Sequence, residues 1–200
     1  MVEAVILNYG VGNLHSIRRG MEMAGARVLI SDDPADIRRA SIVVLPGVGA
    51  HASAMRSIDR ELMRKCIEDG KFVLGVCLGL QLFMDWSEEG GGSEGLGVFA
   101  GKVVKLPAGV KVPHMGWNTL TIEREHPFLE GVSNGAYVYF VRSYYVEPAD
   151  STLVVASTRY GTRVPAVLAT ERVVGTQFHP EKSGRIGLQM LRNFVRMSAR

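Results

Sequence analysis

Cysteine is scarce in this chain, with only Cys66 and Cys77 among its 200 residues. Two cysteines cannot form the dense set of disulfides that stabilises many small secreted domains, so a reducing compartment is expected. No run of about 18 apolar residues could cross a bilayer as a helix. A segment typical of a strand begins directly after Met1, which leaves no place for a signal peptide. These absences predict a cytoplasmic protein without a membrane partner.

Long charge runs are also missing. The net charge is +3 and the pI is about 9.0, a balance that could suit a nucleic-acid-binding protein. The basic residues are scattered, however, and pairs such as Arg18 and Arg19 stand alone, which indicates a solvated surface without nucleic-acid contacts. Because neither CxxC nor HExxH spacing occurs, no metal site and no cofactor are expected.

Short apolar segments alternate with helical patterns in the N-terminal half, which predicts an α/β fold with a mostly parallel central sheet covered by helices on both faces. Later segments rich in valine, threonine and tyrosine predict additional antiparallel strands in the C-terminal half. Without a linker or repeat, residues 1–200 are predicted to form a single domain. The predicted strands include 4–7, 27–30, 42–45, 72–76, 118–122 and 137–145, the predicted helical regions include 51–69, 78–84 and 185–197, and 88–97 is predicted to be a loop.

The segment Gly75-Val76-Cys77-Leu78-Gly79 has the glycine–x–nucleophile–x–glycine form of a nucleophile elbow, between a predicted buried strand and a predicted helix. Such a turn projects the central side chain at the carboxyl edge of the sheet and requires small neighbours. The helix N-terminus favours the thiolate, the reactive form of cysteine. Free cysteine is otherwise often a small buried hydrophobe, which is the role expected for Cys66 because it lacks this frame.

A nucleophilic cysteine needs a base, and the base needs an orienting partner. Among the five histidines, His179 is the best candidate because it follows a predicted strand, and chemistry gathers at the carboxyl ends of strands in open α/β sheets. Pro180 disfavours helix at His179, so Glu181 can reach back to fix the imidazole tautomer. Alone, His-x-Glu would be an ordinary surface turn. Together with the elbow, it predicts a triad of Cys77, His179 and Glu181.

These motifs, their order and the extension of Cys77-Leu78-Gly79 to Gln81 resemble the class I, or triad, glutamine amidotransferases over nearly the whole chain. The resemblance implies that Cys77 attacks the side-chain carbonyl of L-glutamine, that His179 transfers protons, and that water hydrolyses the thioester. The segment 46–49 resembles the oxyanion segment of that family. The resemblance implies oxyanion contacts from Val48, Gly49 and Leu78, and substrate contacts from Gln81, Ser143 and Tyr144.

The stretches 8–13, 113–118 and 139–145 resemble, more narrowly, the glutaminase subunits of imidazole glycerol phosphate synthases of histidine biosynthesis. This resemblance implies a heterodimer in which a (β/α)8 synthase subunit receives the ammonia and forms imidazole glycerol phosphate and aminoimidazole carboxamide ribotide. The chain has no GxxxxGK[ST] phosphate loop of its own. Partner contacts are expected at Asn13, Trp117 and Lys182. Arg142 departs from the family pattern, because relatives often have histidine at this position.

Three alternatives stay open at this point. The chain could be a glutaminase for another acceptor, such as anthranilate or pyridoxal phosphate formation, and the 113–118 segment is the feature that discriminates. It could be an amidotransferase-like binding subunit without catalysis, against which the intact Cys77, His179 and Glu181 argue. It could also be a cysteine peptidase or hydrolase of the same sheet architecture, which would cleave peptides without a partner.

Overall fold

Six α-helices and fourteen strands form the part of the chain that the computed structural model describes, residues 2–10 and 13–199. The strands are β1 (Val2–Leu7), β2 (Ala26–Ser31), β3 (Ile42–Leu45), β4 (Phe72–Val76), β5 (Met84–Ser87), β6 (Ser93–Glu94), β7 (Phe99–Lys105), β8 (His114–Thr119), β9 (Thr121–Ile122), β10 (Tyr137–Arg142), β11 (Tyr144–Pro148), β12 (Val154–Tyr160), β13 (Thr162–Ala169) and β14 (Val173–Thr176). The helices are α1 (Leu14–Met23), α2 (Pro34–Arg39), α3 (His51–Ser57), α4 (Arg60–Glu68), α5 (Leu78–Leu82) and α6 (Gly184–Ser198).

The largest sheet has eight strands in the order β2-β1-β3-β4-β14-β13-β12-β9. Its first five strands pair in parallel and its last three pairs are antiparallel. Alternate side chains of the parallel strands enter two separate core clusters, with Ile6 and Val44 on one face and Val5 and Val43 on the other. A parallel sheet buried on both faces explains why these strands are continuous apolar runs in the sequence.

Helices cover both faces of this sheet. The cluster that contains Ile6 also contains Met21 of α1 and Phe194 of α6, while the opposite cluster contains Met55 of α3 and Leu62 of α4. Two smaller sheets complete the fold, a β10-β8 antiparallel ribbon and a four-stranded sheet in the order β11-β7-β5-β6. The predicted fold class is therefore confirmed, including the additional antiparallel strands. The extent of the single domain, residues 1–200, stays a prediction.

Several predicted boundaries are wrong. The helical region 51–69 is two helices, because Ile58 is extended and Asp59 caps α4 by accepting a hydrogen bond from the Leu62 amide at 2.9 Å. The predicted strand 137–145 breaks at Ser143. Its two halves pair with β8 and β7, which belong to different sheets.

The segments around these breaks also differ from expectation. The helix predicted at 78–84 ends at Leu82, and Met84 opens β5, which pairs with β7. The strand predicted at 118–122 divides into β8 and β9, and the predicted loop 88–97 contains a 3-10 turn at Glu89–Gly91 and the short strand β6. In the ranges that the structure describes, every helix is too short or too polar to cross a membrane.

Candidate active site

Cys77 lies at the sharp turn between β4 and α5, with φ 54° and ψ −100°. Among the described residues it is the one non-glycine residue with a positive φ. Such a conformation costs about 1–3 kcal/mol and persists only where the surroundings impose it. A β-carbon on Gly79 would overlap the carbonyl oxygen of Leu45, and one on Gly75 would overlap the Gly79 backbone. The glycine frame is thus a steric requirement of the elbow.

The pairing of β4 with β14 brings Cys77 toward His179. These strands are parallel neighbours with Thr176 opposite Val76, and the Cys77 amide donates a hydrogen bond to the Thr176 carbonyl oxygen at 2.7 Å. The carboxyl ends of both strands therefore meet at the same edge of the sheet. Cys77 follows one strand directly, and His179 follows the other after two residues.

His179 and Glu181 form a buried pair. The Nδ1 atom of His179 lies 2.8 Å from Oε1 of Glu181, and their side chains are 3% and 4% exposed. The His179 amide donates to the Tyr139 carbonyl oxygen at 2.9 Å, and the Ser183 hydroxyl donates to the His179 carbonyl oxygen at 2.7 Å. These backbone contacts fix the ring relative to β10, so the carboxylate can hold one tautomer of the imidazole.

The charge state of His179 depends on both of its neighbours. Burial alone lowers the pKa of His179, but the nearby Cys77 sulfur and the hydrogen-bonded Glu181 carboxylate outweigh this and raise the pKa from 6.5 to about 10. The Cys77 sulfhydryl points toward the Val141 carbonyl oxygen at 3.5 Å, and the buried Nε2 of His179 makes no aligned hydrogen bond. The two groups are thus neighbours in a loose arrangement, which is common before substrate binds.

A cavity of about 250 Å³ opens beside the Cys77 sulfur. Leu78 lines this cavity and is the first residue of α5, so its amide has no acceptor within the helix. All residues predicted for the oxyanion and substrate contacts line the cavity, namely Val48, Gly49, Leu78, Gln81, Ser143 and Tyr144.

The Gln81 side chain is already engaged within this wall. Its Nε2 atom donates to the Tyr144 carbonyl oxygen at 3.2 Å and approaches Oε1 of Gln177 at 3.5 Å. Gln81 therefore holds the start of β11 against α5, in addition to lining the cavity.

Other site residues are not apparent from the sequence. Glu89 and Arg142 line the cavity, and the Gln177 amide lies 3.8 Å from the Cys77 sulfur. The Tyr9 hydroxyl donates to the Pro46 carbonyl oxygen and so ties β1 to the start of the oxyanion segment. Burial, and then the nearby Cys77, raise the pKa of Tyr9. These side chains are assembled by tertiary packing. Tyr9 and Arg142 belong to stretches noted in the sequence, 8–13 and 139–145, whereas Glu89 and Gln177 belong to none.

The residues predicted to meet a partner lie outside the cavity. Trp117 is 55% exposed on the β8–β10 ribbon and packs edge-to-face on Tyr139 at 5.7 Å. Asn13 caps α1 by accepting a hydrogen bond from the Ser16 amide, and Lys182 ends the 3-10 turn that follows His179. Val11 and Gly12 of the 8–13 stretch lie outside the described residues.

A thiol at a strained elbow and a buried histidine–carboxylate pair beside a small cavity can perform acyl transfer through a thioester. In agreement with this chemistry, the family model described as "Glutamine amidotransferase class-I" matches residues 5–197. The chain therefore belongs to the class I glutamine amidotransferases.

Close relatives narrow this assignment to one family within the class. An imidazole glycerol phosphate synthase subunit HisH from Archaeoglobus fulgidus is 49% identical, over 98% of this chain and 98% of the relative. The HisH subunit from Natronomonas pharaonis is 48% identical, over 96% of this chain and 94% of the relative. The HisH subunit from Caldanaerobacter subterraneus subsp. tengcongensis is 46% identical, over 96% of this chain and 97% of the relative. Within the class, the chain is thus a member of the HisH subunit family.

Solved structures agree on the fold. PurLQS from Thermotoga maritima matches with a TM-score of 0.77 at 19% identity, over 98% of both chains. A glutamine amidotransferase from the same organism matches with a TM-score of 0.70 at 16% identity, over 100% of this chain and 99% of that chain. At this level of identity the likeness concerns the arrangement of the strands and helices.

Proposed function

We propose that this chain is the glutaminase subunit of an imidazole glycerol phosphate synthase. It hydrolyses L-glutamine to L-glutamate and ammonia in the cytoplasm and passes the ammonia to a (β/α)8 synthase subunit in a heterodimer. The observation that carries the proposal is the Cys77 elbow, which lies beside the buried His179–Glu181 pair at the wall of an amino-acid-sized cavity. The identity of about 46–49% to HisH subunits supports the choice of synthase.

The catalytic cycle follows from which nitrogen of His179 is free. Because Nδ1 is held by Glu181, Nε2 is the nitrogen that takes the thiol proton. The raised pKa of His179 favours this transfer before the attack, and the Cys77 thiolate then attacks the glutamine side-chain carbonyl. The tetrahedral intermediate collapses to a glutamyl thioester while His179 delivers this proton to the departing ammonia. The same nitrogen then takes a proton from a water molecule as the water oxygen attacks the thioester carbonyl. It returns this proton to the sulfur as glutamate leaves.

The developing negative charge needs donors that are in place before the reaction. The Leu78 amide, at the start of α5, and the backbone amides of Val48 and Gly49 are proposed for this role, because all three residues line the cavity with Cys77. Loss of one such donor typically costs about 3 kcal/mol of transition-state stabilisation. Gln81, Ser143 and Tyr144 are proposed to position the amino acid from the neighbouring wall.

The synthase subunit is proposed to cover the β8–β10 ribbon and the adjoining ends of α1 and the 179–182 turn. The ribbon exposes three large apolar side chains, Met115 at 63%, Trp117 at 55% and Tyr137 at 62%. A cluster of this kind on a soluble protein typically marks an interaction site. Asn13 and Lys182 are proposed to add polar contacts with the synthase subunit. The (β/α)8 partner would form imidazole glycerol phosphate and aminoimidazole carboxamide ribotide from the delivered ammonia.

The test is glutamate release from L-glutamine by the purified chain alone, with the synthase subunit, and with that subunit plus its ribulosyl phosphate substrate. Turnover that requires the loaded synthase supports the proposal. Activation by an anthranilate or pyridoxal phosphate synthase subunit instead would favour the other acceptor. Cleavage of peptides by the isolated chain would favour a peptidase.

We expect Glu181→Gln to lower kcat by roughly 10²–10⁴-fold, because the amide no longer fixes the reactive tautomer of His179. The change also removes one cause of the raised pKa of His179. With the pKa raised from 6.5 to about 10, the stability gained from the imidazolium is fully present below pH 6.5 and is lost as pH rises through about 10. In the variant the pKa of His179 is expected to be lower, so this stability is lost at a lower pH. A chemical-shift titration of the His179 imidazole in both proteins measures the difference in pKa.

Glu125 provides the control for this variant, since its side chain is exposed and it lies outside the cavity beside Cys77. Glu125→Gln is expected to leave kcat and the titration of His179 unchanged. An unaltered titration in Glu181→Gln would contradict the proposed electrostatic coupling.

We expect Trp117→Ala to weaken synthase binding by about 10- to 100-fold, since a large, rigid aromatic side chain at the centre of an interface is a typical hot spot. Isothermal titration calorimetry with the synthase subunit measures the dissociation constant. Trp86→Ala is the matched control, because Trp86 is the only other tryptophan, is 45% exposed, and lies on the separate β5 strand. Equal effects of the two variants would contradict the assignment of the ribbon.

A further inference from the structure

Tyr9 is a buried tyrosine that the proposed catalytic cycle does not use. It lies just beyond the end of β1, and only 6% of its surface is exposed. Its hydroxyl donates a hydrogen bond to the carbonyl oxygen of Pro46, the residue that directly follows β3. Burial, and then the nearby Cys77, raise the pKa of Tyr9, so the hydroxyl keeps its proton and stays a donor at neutral pH.

The order of the strands explains this contact. β1 and β3 are parallel neighbours with Ile6 opposite Val44, and β3 pairs in parallel with β4, which leads into the elbow. The carboxyl ends of all three strands therefore meet at one edge of the sheet. This edge brings Tyr9, the segment 46–49 and Cys77 together.

The segment 46–49, which links β3 to α3, has little else to hold it. Among residues 2–10 and 13–199, the Tyr9 hydroxyl is the one group that makes a hydrogen bond to this segment. The segment also packs closely on the elbow, since a β-carbon on Gly47 would overlap the β-carbon of Leu78 and lie 2.8 Å from the Leu78 amide nitrogen. A shift at Pro46 would therefore be transmitted directly to the start of α5.

The hydrogen bond fixes more than one carbonyl group. The Pro46–Gly47 peptide bond is trans, and in a planar trans peptide the carbonyl and amide groups point in opposite directions. Holding the Pro46 carbonyl therefore also fixes the direction of the Gly47 amide. Because glycine permits many backbone conformations at little cost, this orientation needs an external anchor.

We propose that Tyr9 is a positioning residue for the oxyanion contacts. Its hydroxyl holds the Pro46 carbonyl, and thereby keeps the amides of Val48, Gly49 and Leu78 in one arrangement around the reacting carbonyl. This inference rests on the proposed glutaminase function. Tyr9 does not line the cavity beside Cys77, so it acts through the segment 46–49 and not on the substrate. Its contribution should appear in the transition state, where the negative charge develops, and not in the binding of glutamine.

The test removes only the hydroxyl group. In Tyr9→Phe the ring can keep its place in the core cluster that contains Leu7 and Ile37. Wild-type and variant chains, each in complex with the loaded synthase subunit, are assayed for glutamate release over a range of glutamine concentrations. Tyr9→Phe is expected to lower kcat by about 10- to 100-fold and to change KM by less than about 3-fold, because misplaced donors weaken the transition state alone.

Tyr160→Phe is the matched control. The Tyr160 hydroxyl also donates to a backbone carbonyl, that of Lys111 at 2.6 Å, and Tyr160 lies outside the cavity. This variant should keep kcat near the wild-type value. Equal kcat values for Tyr9→Phe and Tyr160→Phe, or a loss confined to KM, would overturn the inference.

Alkylation of Cys77 by iodoacetamide separates the oxyanion contacts from the elbow itself. This reaction needs the thiolate but forms no tetrahedral oxyanion, so its rate should be the same in Tyr9→Phe and in the wild type. Peptide mass spectrometry measures the rate, and a parallel fall of alkylation and turnover would mean that Tyr9 supports the elbow or the fold instead. A wild-type complex that is alkylated at Cys77 but never hydrolyses glutamine would contradict the proposed function, and the inference with it.

Discussion

Replacement of Cys77 by alanine is expected to lower glutamine-dependent turnover of the complex by roughly 10⁴-fold or more, because no other group can form the thioester. The synthase reaction should continue when an ammonium salt replaces glutamine, since the partner needs only ammonia. Parallel assays of glutamate release and of imidazole glycerol phosphate formation from both nitrogen sources measure this separation. Loss of the ammonium-dependent reaction as well would indicate a damaged complex.

Cys66 provides the matched control, as the only other cysteine in the chain. It is 1% exposed in α4, and burial raises the pKa of its thiol, which makes it a poor nucleophile. Cys66→Ala is expected to keep glutaminase activity near that of the wild type. If Cys66→Ala abolished hydrolysis while Cys77→Ala did not, the assignment of the elbow would be wrong.

Gly79→Ala is expected to lower the free energy of unfolding by about 3 kcal/mol or more. The added β-carbon would overlap the carbonyl oxygen of Leu45, which belongs to the rigid strand β3 and cannot rotate away as a side chain could. The elbow must therefore shift, and glutaminase activity should fall with stability. Denaturant unfolding followed by circular dichroism measures the first effect.

The control for this prediction is Gly109→Ala. A β-carbon on Gly109 meets no atom within 4 Å, although its φ of 89° disfavours alanine. This variant should lose only about 1 kcal/mol, the ordinary cost of a left-handed conformation for a residue with a β-carbon. A comparable loss in both variants would mean that the close approach to Leu45 is not the reason for glycine at position 79.

The parallel strands could be predicted because their signal is local. A strand covered on both faces must be apolar at every position, and 42–45 and 72–76 have this pattern. The breaks within 51–69 and 137–145 were missed for different reasons. The first depends on a single cap at Asp59. The second depends on which strands Tyr137–Arg142 and Tyr144–Pro148 pair with, which no local pattern reveals.

The same distinction applies to the candidate site. The elbow around Cys77 and the His179–Glu181 pair are short segments with recognisable chemistry, and the β4–β14 pairing brings them together. Arg142 could not be predicted in the same way, because arginine is almost always exposed and a strand pattern does not indicate a buried one. Its position becomes visible only when β10 ends at the cavity beside the elbow.

The most direct test of the account is to trap the covalent intermediate. The complex is mixed with isotope-labelled L-glutamine, quenched in acid during turnover, digested, and examined by mass spectrometry for labelled glutamyl peptides. A glutamyl thioester on the peptide that contains Cys77, absent from the Cys66 peptide and from a Cys77→Ala sample, is the predicted result. Steady hydrolysis of glutamine with no label at Cys77, or with the label on another residue, would contradict it.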